Sequence, residues 1–191
     1  MDPSELLRLV TSTLERLEFR YLVTGSTATI FFGEPRFTND IDIVLDLPAS
    51  RIAELCAAFP ADDFYLSEES VRRAVARGGQ FNLIHPRSGL KIDFIVATDT
   101  PFNRSRFSRS RRLTPGPDFQ ATFASPEDVI LKKMEYFQEG HSDKHLRDIA
   151  GVFKISGDQI DRGYLEDWVA KLDLEDVWQE VLGQLDGPSN R

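Results

Sequence analysis

The segment from residue 21 to residue 46 constrains the fold of this chain more than any other. An apolar run ends at Gly25-Ser26, and after an insert of about one helix length a β-branched run follows from Asp40 to Leu45. The second run predicts a strand. Because side chains alternate along a strand, Asp40 and Asp42 are expected on one face, with the isoleucines on the other.

These two acids need a partner. Carboxylates one pleat apart repel each other, and burying them unpaired would cost roughly several kcal/mol. A hard divalent cation removes that penalty, because carboxylate oxygens are its preferred ligands. A third acid, Asp93, lies in the strand-like run Lys91–Val96, which the turn 86–89 joins to another run as a hairpin. If this hairpin pairs beside the Asp40 strand, Asp93 joins the other two acids on one surface.

The Gly25-Ser26 pair predicts a turn into a short helix from Thr27 to Phe32. The free backbone N–H groups at the start of such a helix favour a phosphate. Most Gly-Ser pairs are ordinary turns, so this pair gains its weight from the acids that follow. Arg36 is interpreted first as a solvated loop charge, with a contact to a triphosphate as the alternative.

The remaining pattern predicts strands and helices that alternate and then give way to helices alone. Helical spacing occurs at 4–17, 49–59 and 67–76, a brief strand is predicted at 64–66, and an edge strand or hairpin at 113–123. Ser125-Pro126 marks a clear helix start, with helical patterns continuing to residue 185. We therefore predict an α+β fold with a core at 1–124, a helical C-terminal region at 125–186 and a disordered tail at 187–191.

Composition narrows the functional classes. A net charge of −8 argues against non-specific coating of nucleic acid, which depends on neutralising phosphates. Five arginines are nevertheless crowded into residues 103–112. They either form a solvated helix or loop that balances nearby acids, or guide a triphosphate or an RNA backbone. The crowded arginines are Arg104, Arg106, Arg109, Arg111 and Arg112. With no secretory signal, no membrane span and a single cysteine, the expected location is the cytoplasm.

A Gly-Ser turn, an Asp-x-Asp strand and a lone Asp on a neighbouring strand resemble the nucleotidyltransferase superfamily of the DNA polymerase beta type. The segments Gly33-Glu34-Pro35-Arg36, Thr38-x-Asp40-Ile41-Asp42 and Lys91-Ile92-Asp93-Phe94 are most similar to its branch related to the AbiEii toxins. The resemblance covers roughly residues 22–152. It implies that family's mixed sheet flanked by helices.

The resemblance also implies roles for the acids. Asp40 and Asp42 would bridge two Mg²⁺ ions, and Asp93 would bind the ion nearer the acceptor and help take its proton. Gly25 and Ser26 would hold the outer phosphates of a nucleoside triphosphate.

Further nucleotide-binding residues follow from the same resemblance. Lys133 falls where the family places a basic residue over the phosphates, with Lys132 as the alternative. Asp148 matches the family's Asp that closes over the site, and Arg36 supplements the charge.

The function implied is a metal-dependent nucleotidyltransferase that moves a nucleoside monophosphate from a triphosphate to a hydroxyl acceptor. The AbiEii-like branch implies RNA such as tRNA as the acceptor of a toxin, with an antitoxin as the partner protein. Two alternatives stay open: transfer to a hydroxyl of a protein or small molecule, and a catalytically silent nucleotide-binding partner module. The silent module would be expected to have lost an acid, and all three are present.

Overall fold

The computed structural model describes residues 1–36, 38, 40–116 and 118–186, so the predicted tail at 187–191 lies outside the described residues. The chain separates into two compact units. The first comprises Met1–Thr27 and Phe37–Ala124, and the second comprises Ala28–Arg36 and Ser125–Arg191.

The elements follow one another in a simple order. The strands are β1 (Tyr21–Thr24), β2 (Asp40–Leu45), β3 (Gln80–His85), β4 (Leu90–Val96), β5 (Arg111–Gly116) and β6 (Phe119–Phe123). The α-helices are α1 (Pro3–Arg16), α2 (Gly25–Phe32), α3 (Ile52–Ala57), α4 (Glu68–Arg77), α5 (Pro101–Ser108), α6 (Pro126–Gly140), α7 (Asp143–Ser156), α8 (Arg162–Lys171) and α9 (Glu175–Asp186). Short 3₁₀ turns lie at Ala49–Arg51 and Gly157–Gln159.

The six described strands form one mixed sheet in the order β3-β4-β2-β1-β6-β5. β2 pairs parallel to β4 and antiparallel to β1, while β1 pairs parallel to β6. β2 and β4 carry the three predicted acids and lie side by side, where Ile43, Ile92 and Phe94 are fully buried. The predicted α+β fold is confirmed, although the brief strand expected at 64–66 is a single bridge between Tyr65 and Ile84.

Tyr21, the first residue of β1, is buried, and its hydroxyl takes part in two hydrogen bonds. The Tyr21 hydroxyl donates to Glu15 Oε1 at 2.6 Å and accepts from the backbone N–H of Thr122 at 3.1 Å. Arg112 forms an ion pair with the same glutamate. Burial and the hydrogen bond to Glu15 raise the pKa of Tyr21 to about 12.

This raised pKa predicts a loss of stability in alkali. Between pH 10 and pH 12 the unfolded chain releases the phenolic proton while the folded chain keeps it, so the free energy of unfolding should fall by about 2 kcal/mol. Chemical denaturation across this range measures the effect. Tyr21→Phe should abolish this part of the pH dependence, whereas Tyr65→Phe, at an exposed position, should keep it. An unchanged slope in Tyr21→Phe would contradict the assignment.

In the second unit, the buried acids Glu127 and Asp128 at the start of α6 accept hydrogen bonds from the start of α8. Asp128 accepts from the Tyr164 hydroxyl at 2.7 Å, and its own backbone N–H donates to the capping Ser125 at 3.2 Å. Glu127 accepts from the backbone N–H of Asp161 at 2.8 Å. The clear helix start seen in the sequence is therefore also a junction between two helices.

Residues 28–36 belong to the second unit because they are bonded to α7. Lys154 Nζ lies 2.6 Å from Glu34 Oε1, and the Ser156 hydroxyl donates to the carbonyl oxygen of Phe32 at 2.6 Å. A Cβ on Gly33 would lie 3.0 Å from the backbone nitrogen of Val152, so the loop backbone packs directly on the helix backbone.

None of the described helices is both long and apolar enough to cross a membrane.

Candidate active site

The three predicted acids lie on one face of the sheet. In the parallel pairing of β2 with β4, Asp42 is the register partner of Asp93, and Asp40 is the partner of Lys91. Residues two apart on a strand point the same way, so the four side chains form a square with three acids and one lysine at its corners. The predicted pairing of the hairpin beside the Asp40 strand is confirmed.

Each oxygen of the Asp93 carboxylate has a donor. Lys91 Nζ lies 2.7 Å from Asp93 Oδ2 and 3.8 Å from Asp40 Oδ1. Asn82, the register partner of Asp93 on β3, donates through its amide to Asp93 Oδ1. The hydrogen bond to Asp93 raises the pKa of Lys91, and the charges of Asp40 and Asp42 add to the effect. Lys91 is therefore a fully charged partner of this acid cluster.

Sequence reasoning assigned no role to Lys91 or Asn82. Lys91 had a usable signal, because it precedes Asp93 by two residues and so shares its face. Asn82 had none, since its position opposite Asp93 depends on the register of the hairpin.

Gly25 brings the start of α2 against these acids. β1 pairs Thr24 with Asp42, and α2 begins at the next residue, two positions earlier than the sequence predicted. A Cβ on Gly25 would lie 1.9 Å from Asp42 Oδ2, and its φ of 59° is left-handed. The Thr27 hydroxyl donates to the carbonyl oxygen of Asp40 at 3.3 Å. Gly25 and Ser26, the latter buried, are thus next to the acids.

Gly25→Ala should remove most activity. The added methyl must displace the Asp42 carboxylate, and the left-handed backbone adds strain of about 1–2 kcal/mol. We expect a loss of at least about 100-fold in kcat/KM for whichever acceptor is found, because misplaced groups are costly at this level. Gly89→Ala is the matched control, since Gly89 also has a left-handed φ of 69° but no atom within 4 Å of its added Cβ. Equal activity losses in both variants would contradict the proposed contact.

The acid face, formed by Asp40, Asp42 and Asp93, has the donor type that a divalent metal ion prefers. Among the described residues, no three His, Cys, Asp or Glu side chains are arranged to hold a metal ion as they stand. The chemistry of the donors suits a hard divalent cation, because three carboxylates share one face on adjacent strands. Both oxygens of Asp93 are bonded to side chains of this chain, Oδ2 to Lys91 and Oδ1 to Asn82.

Three other predicted residues meet in the second unit. Asp148 accepts from Arg36 at both oxygens, each at 3.1 Å, and from Lys133 Nζ at 2.6 Å. Lys133 and Asp148 are buried, whereas Lys132 pairs with Glu135 at 2.6 Å. The structure therefore distinguishes the two lysines: Lys133 contacts Asp148.

Burial and charge act in opposite directions on this cluster. Burial alone would raise the pKa of Asp148, but the hydrogen bonds and charges of Lys133 and Arg36 outweigh it and lower the pKa. Burial lowers the pKa of Lys133, although Asp148 opposes that shift. The negative charge of Asp148 thus offsets part of the cost of burying the charged side chain of Lys133.

The arginine-rich stretch is largely engaged within the first unit. Arg104 pairs with Asp99, and Arg112 pairs with Glu15. Arg106 is buried, with its guanidinium 5.5 Å from the ring centre of Phe102. These contacts favour the interpretation that the stretch balances nearby acids.

Several solved structures share this fold. The antibiotic-resistance factor ANT(2'')-Ia aligns over 94% of this chain and 99% of its own, with a TM-score of 0.60 and 14% identity. The lincosamide antibiotic adenylyltransferase LnuA, solved with lincomycin, aligns over 81% of this chain and 99% of its own, with a TM-score of 0.52 and 14% identity. A nucleotidyltransferase-like protein from Paracoccidioides brasiliensis aligns over 92% and 91%, with a TM-score of 0.52 and 19% identity. At these identities the likeness concerns the fold.

Comparison with curated proteins gives no match. The sequence model of the family described as nucleotidyl transferase AbiEii toxin, type IV toxin–antitoxin system, matches residues 13–176. That range includes all three acids, the Gly25-Ser26 turn and the Asp148 cluster. The chain therefore belongs to the AbiEii family of nucleotidyltransferase toxins.

Proposed function

We propose that this protein transfers a nucleoside monophosphate from a nucleoside triphosphate to a hydroxyl acceptor, with Asp40, Asp42 and Asp93 at the reacting centre. The observation that carries the proposal is the register of β2 with β4, which sets Asp93 beside Asp42 on the face that Asp40 shares. The start of α2 at Gly25 lies against the same carboxylates. Acids and a helix N-terminus together suit a triphosphate with its cations.

In this reaction the acceptor oxygen attacks the α-phosphorus, the bond to the pyrophosphate oxygen breaks, and the acceptor proton is taken up by Asp93. Two Mg²⁺ ions held by the three carboxylates would supply charge stabilisation for the attacking and leaving oxygens. Backbone N–H groups at Gly25 and Ser26 would hold the outer phosphates. Positioning and charge neutralisation carry such a transfer, since it needs little covalent chemistry from the protein.

Arg36, Lys133 and Asp148 are included in the proposal as nucleotide-binding residues. Their support is the family resemblance together with a cluster in which two cations share one carboxylate. Cationic side chains of this kind suit a phosphate.

For the acceptor we propose RNA, with tRNA as the first candidate, because the chain belongs to a toxin family with an AbiEii-type sequence. An antitoxin partner and a cytoplasmic location complete this proposal. A small-molecule hydroxyl is the second candidate. It is favoured by one observation: arginines 104, 106 and 112 of the basic stretch already contact side chains of this chain, namely Asp99, Phe102 and Glu15.

One assay separates these acceptors. Each α-labelled nucleoside triphosphate is incubated with the protein and Mg²⁺, with total RNA, cell protein and an aminoglycoside panel supplied separately. Label in the RNA fraction, absent with Asp42→Asn, is the expected result. Label in a small molecule alone would replace the first candidate by the second, and label in protein alone would overturn both. Nucleotide binding with no transfer to any acceptor would favour the silent module.

A further inference from the structure

We propose that Lys91 is the resident counter-ion of the acid face, and that a divalent cation enters only by displacing its ammonium group. The inference deepens the proposed function and rests on it. It assigns a role to a residue of this chain for the state before nucleotide binds.

The geometry makes the lysine and a divalent cation competitors. Lys91 Nζ bonds to Asp93 Oδ2 at 2.7 Å and approaches Asp40 Oδ1 at 3.8 Å, so it lies between two of the three carboxylates. A metal ion needs lone pairs of the same oxygens, and its charge is repelled by an ammonium group at that distance. The side chain is 43% exposed, which leaves the ammonium group a path into water.

Asn82 has a different part in the exchange. Its amide bonds to Asp93 Oδ1, the oxygen that the lysine does not hold. A neutral donor on a register partner keeps the carboxylate in place without competing for charge. Asn82 is therefore a positioning residue for Asp93 after the ammonium group leaves.

The exchange has a functional consequence. Without nucleotide the acids are already neutralised in part, so metal binding alone gains little. A nucleoside triphosphate that arrives with a bound cation adds the free energy of its phosphate contacts. This additional binding energy drives the replacement of the Lys91 ammonium group by the cation. The protein would then bind metal weakly alone and strongly with nucleotide.

The sign of one substitution distinguishes displacement from positioning. Binding of Mn²⁺ without nucleotide is followed by electron paramagnetic resonance for the wild-type chain and for Lys91→Met, Lys91→Arg and Arg87→Met. If Lys91 competes with the ion, Lys91→Met should bind Mn²⁺ about tenfold tighter, and Lys91→Arg should resemble the wild type. If Lys91 instead orients Asp93 for the metal, Lys91→Met should bind it more weakly, and the proposal is overturned.

Arg87→Met controls for long-range charge, because Arg87 is an exposed cation in the turn of the same hairpin. Equal tightening in Arg87→Met and Lys91→Met would also overturn the proposal. A second readout is independent of affinity: the chain has six lysines, so the side-chain NMR signal of Lys91 can be assigned by substitution. Addition of Mg²⁺ with nucleotide should shift that signal, and an unchanged signal would contradict displacement.

The same titrations distinguish failure of this inference from failure of the proposed function. Mn²⁺ that binds only with a nucleoside triphosphate, equally in wild type and Lys91→Met, leaves the function intact and removes the role of Lys91. Absence of Mn²⁺ binding in every variant, with nucleotide present, overturns the metal-dependent function and the inference together.

Discussion

Asp148→Asn is expected to lower the free energy of unfolding by about 3–5 kcal/mol at neutral pH, because it leaves a buried ammonium group without its anion. The side chains of Lys133 and Asp148 are only 6% and 7% exposed, and their atoms are 2.6 Å apart. Arg36 loses its bonds to Asp148 at the same time. Chemical denaturation of the two proteins measures the difference.

The pH dependence of this loss supplies a second test. Burial lowers the pKa of Lys133, and removing Asp148 removes the groups that raise it. Between the lowered pKa of folded Lys133 and pH 10.5, the unfolded chain binds a proton that the folded chain releases, so the stability of the variant should recover as pH rises through this range. Asp167→Asn is the matched control: it breaks an exposed pair with Lys171 and should cost at most about 1 kcal/mol. Equal stabilities for the two variants would contradict the account of the buried pair.

Asp42→Asn is expected to reduce transfer activity by roughly 1,000-fold or more while the protein remains folded. Asp42 neighbours both other acids: it pairs with Asp93 in register and shares a strand face with Asp40. Its carboxylate also lies against Gly25. An amide keeps the shape but removes the charge that would hold a cation. The folded state should be as stable as before, since one source of repulsion between acids is gone.

Asp46→Asn is the matched control for this loss. Asp46 follows β2 with the same strand parity as Asp42, but it lies beyond the end of the strand and its carboxylate is 3.6 Å from Arg20. Asp46→Asn should retain activity within about twofold, because it weakens one exposed ion pair outside the acid face. A similar loss in both variants would mean that charge on this strand, rather than the acid face, supports activity.

The acid face could be predicted because strand alternation is a strong local rule. Two residues on one strand and a third on a hairpin were enough to place three carboxylates together, and the sheet has that arrangement. Asn82 could not be found this way, because its contact with Asp93 depends on the register of two strands. The sequence places Lys91 on the same strand face as Asp93, because the two residues are two positions apart. Its position opposite Asp40 depends on the parallel pairing of β2 with β4.

Contacts between distant parts of the chain were beyond prediction. Helical periodicity could not decide between Lys132 and Lys133, because the partner of Lys133 lies 15 residues further on, in another helix. The grouping of residues 28–36 with the C-terminal helices depends on bonds such as that between Lys154 and Glu34. The arginine-rich stretch was interpreted as either a helix or a loop; the structure has the helix α5 there, with Thr100 as its N-cap and Pro101 at its first position.

The central claim is that the acids catalyse transfer of a nucleotidyl group, and it is tested most directly by the position of the label. Parallel reactions with α-labelled and γ-labelled nucleoside triphosphate, Mg²⁺ and the acceptor fraction follow product and released pyrophosphate. The account predicts that only the α-label enters the acceptor, that pyrophosphate is released in equal amount, and that Asp42→Asn abolishes both while Asp46→Asn preserves them. Entry of the γ-label, or release of inorganic phosphate without entry of the α-label, would contradict it.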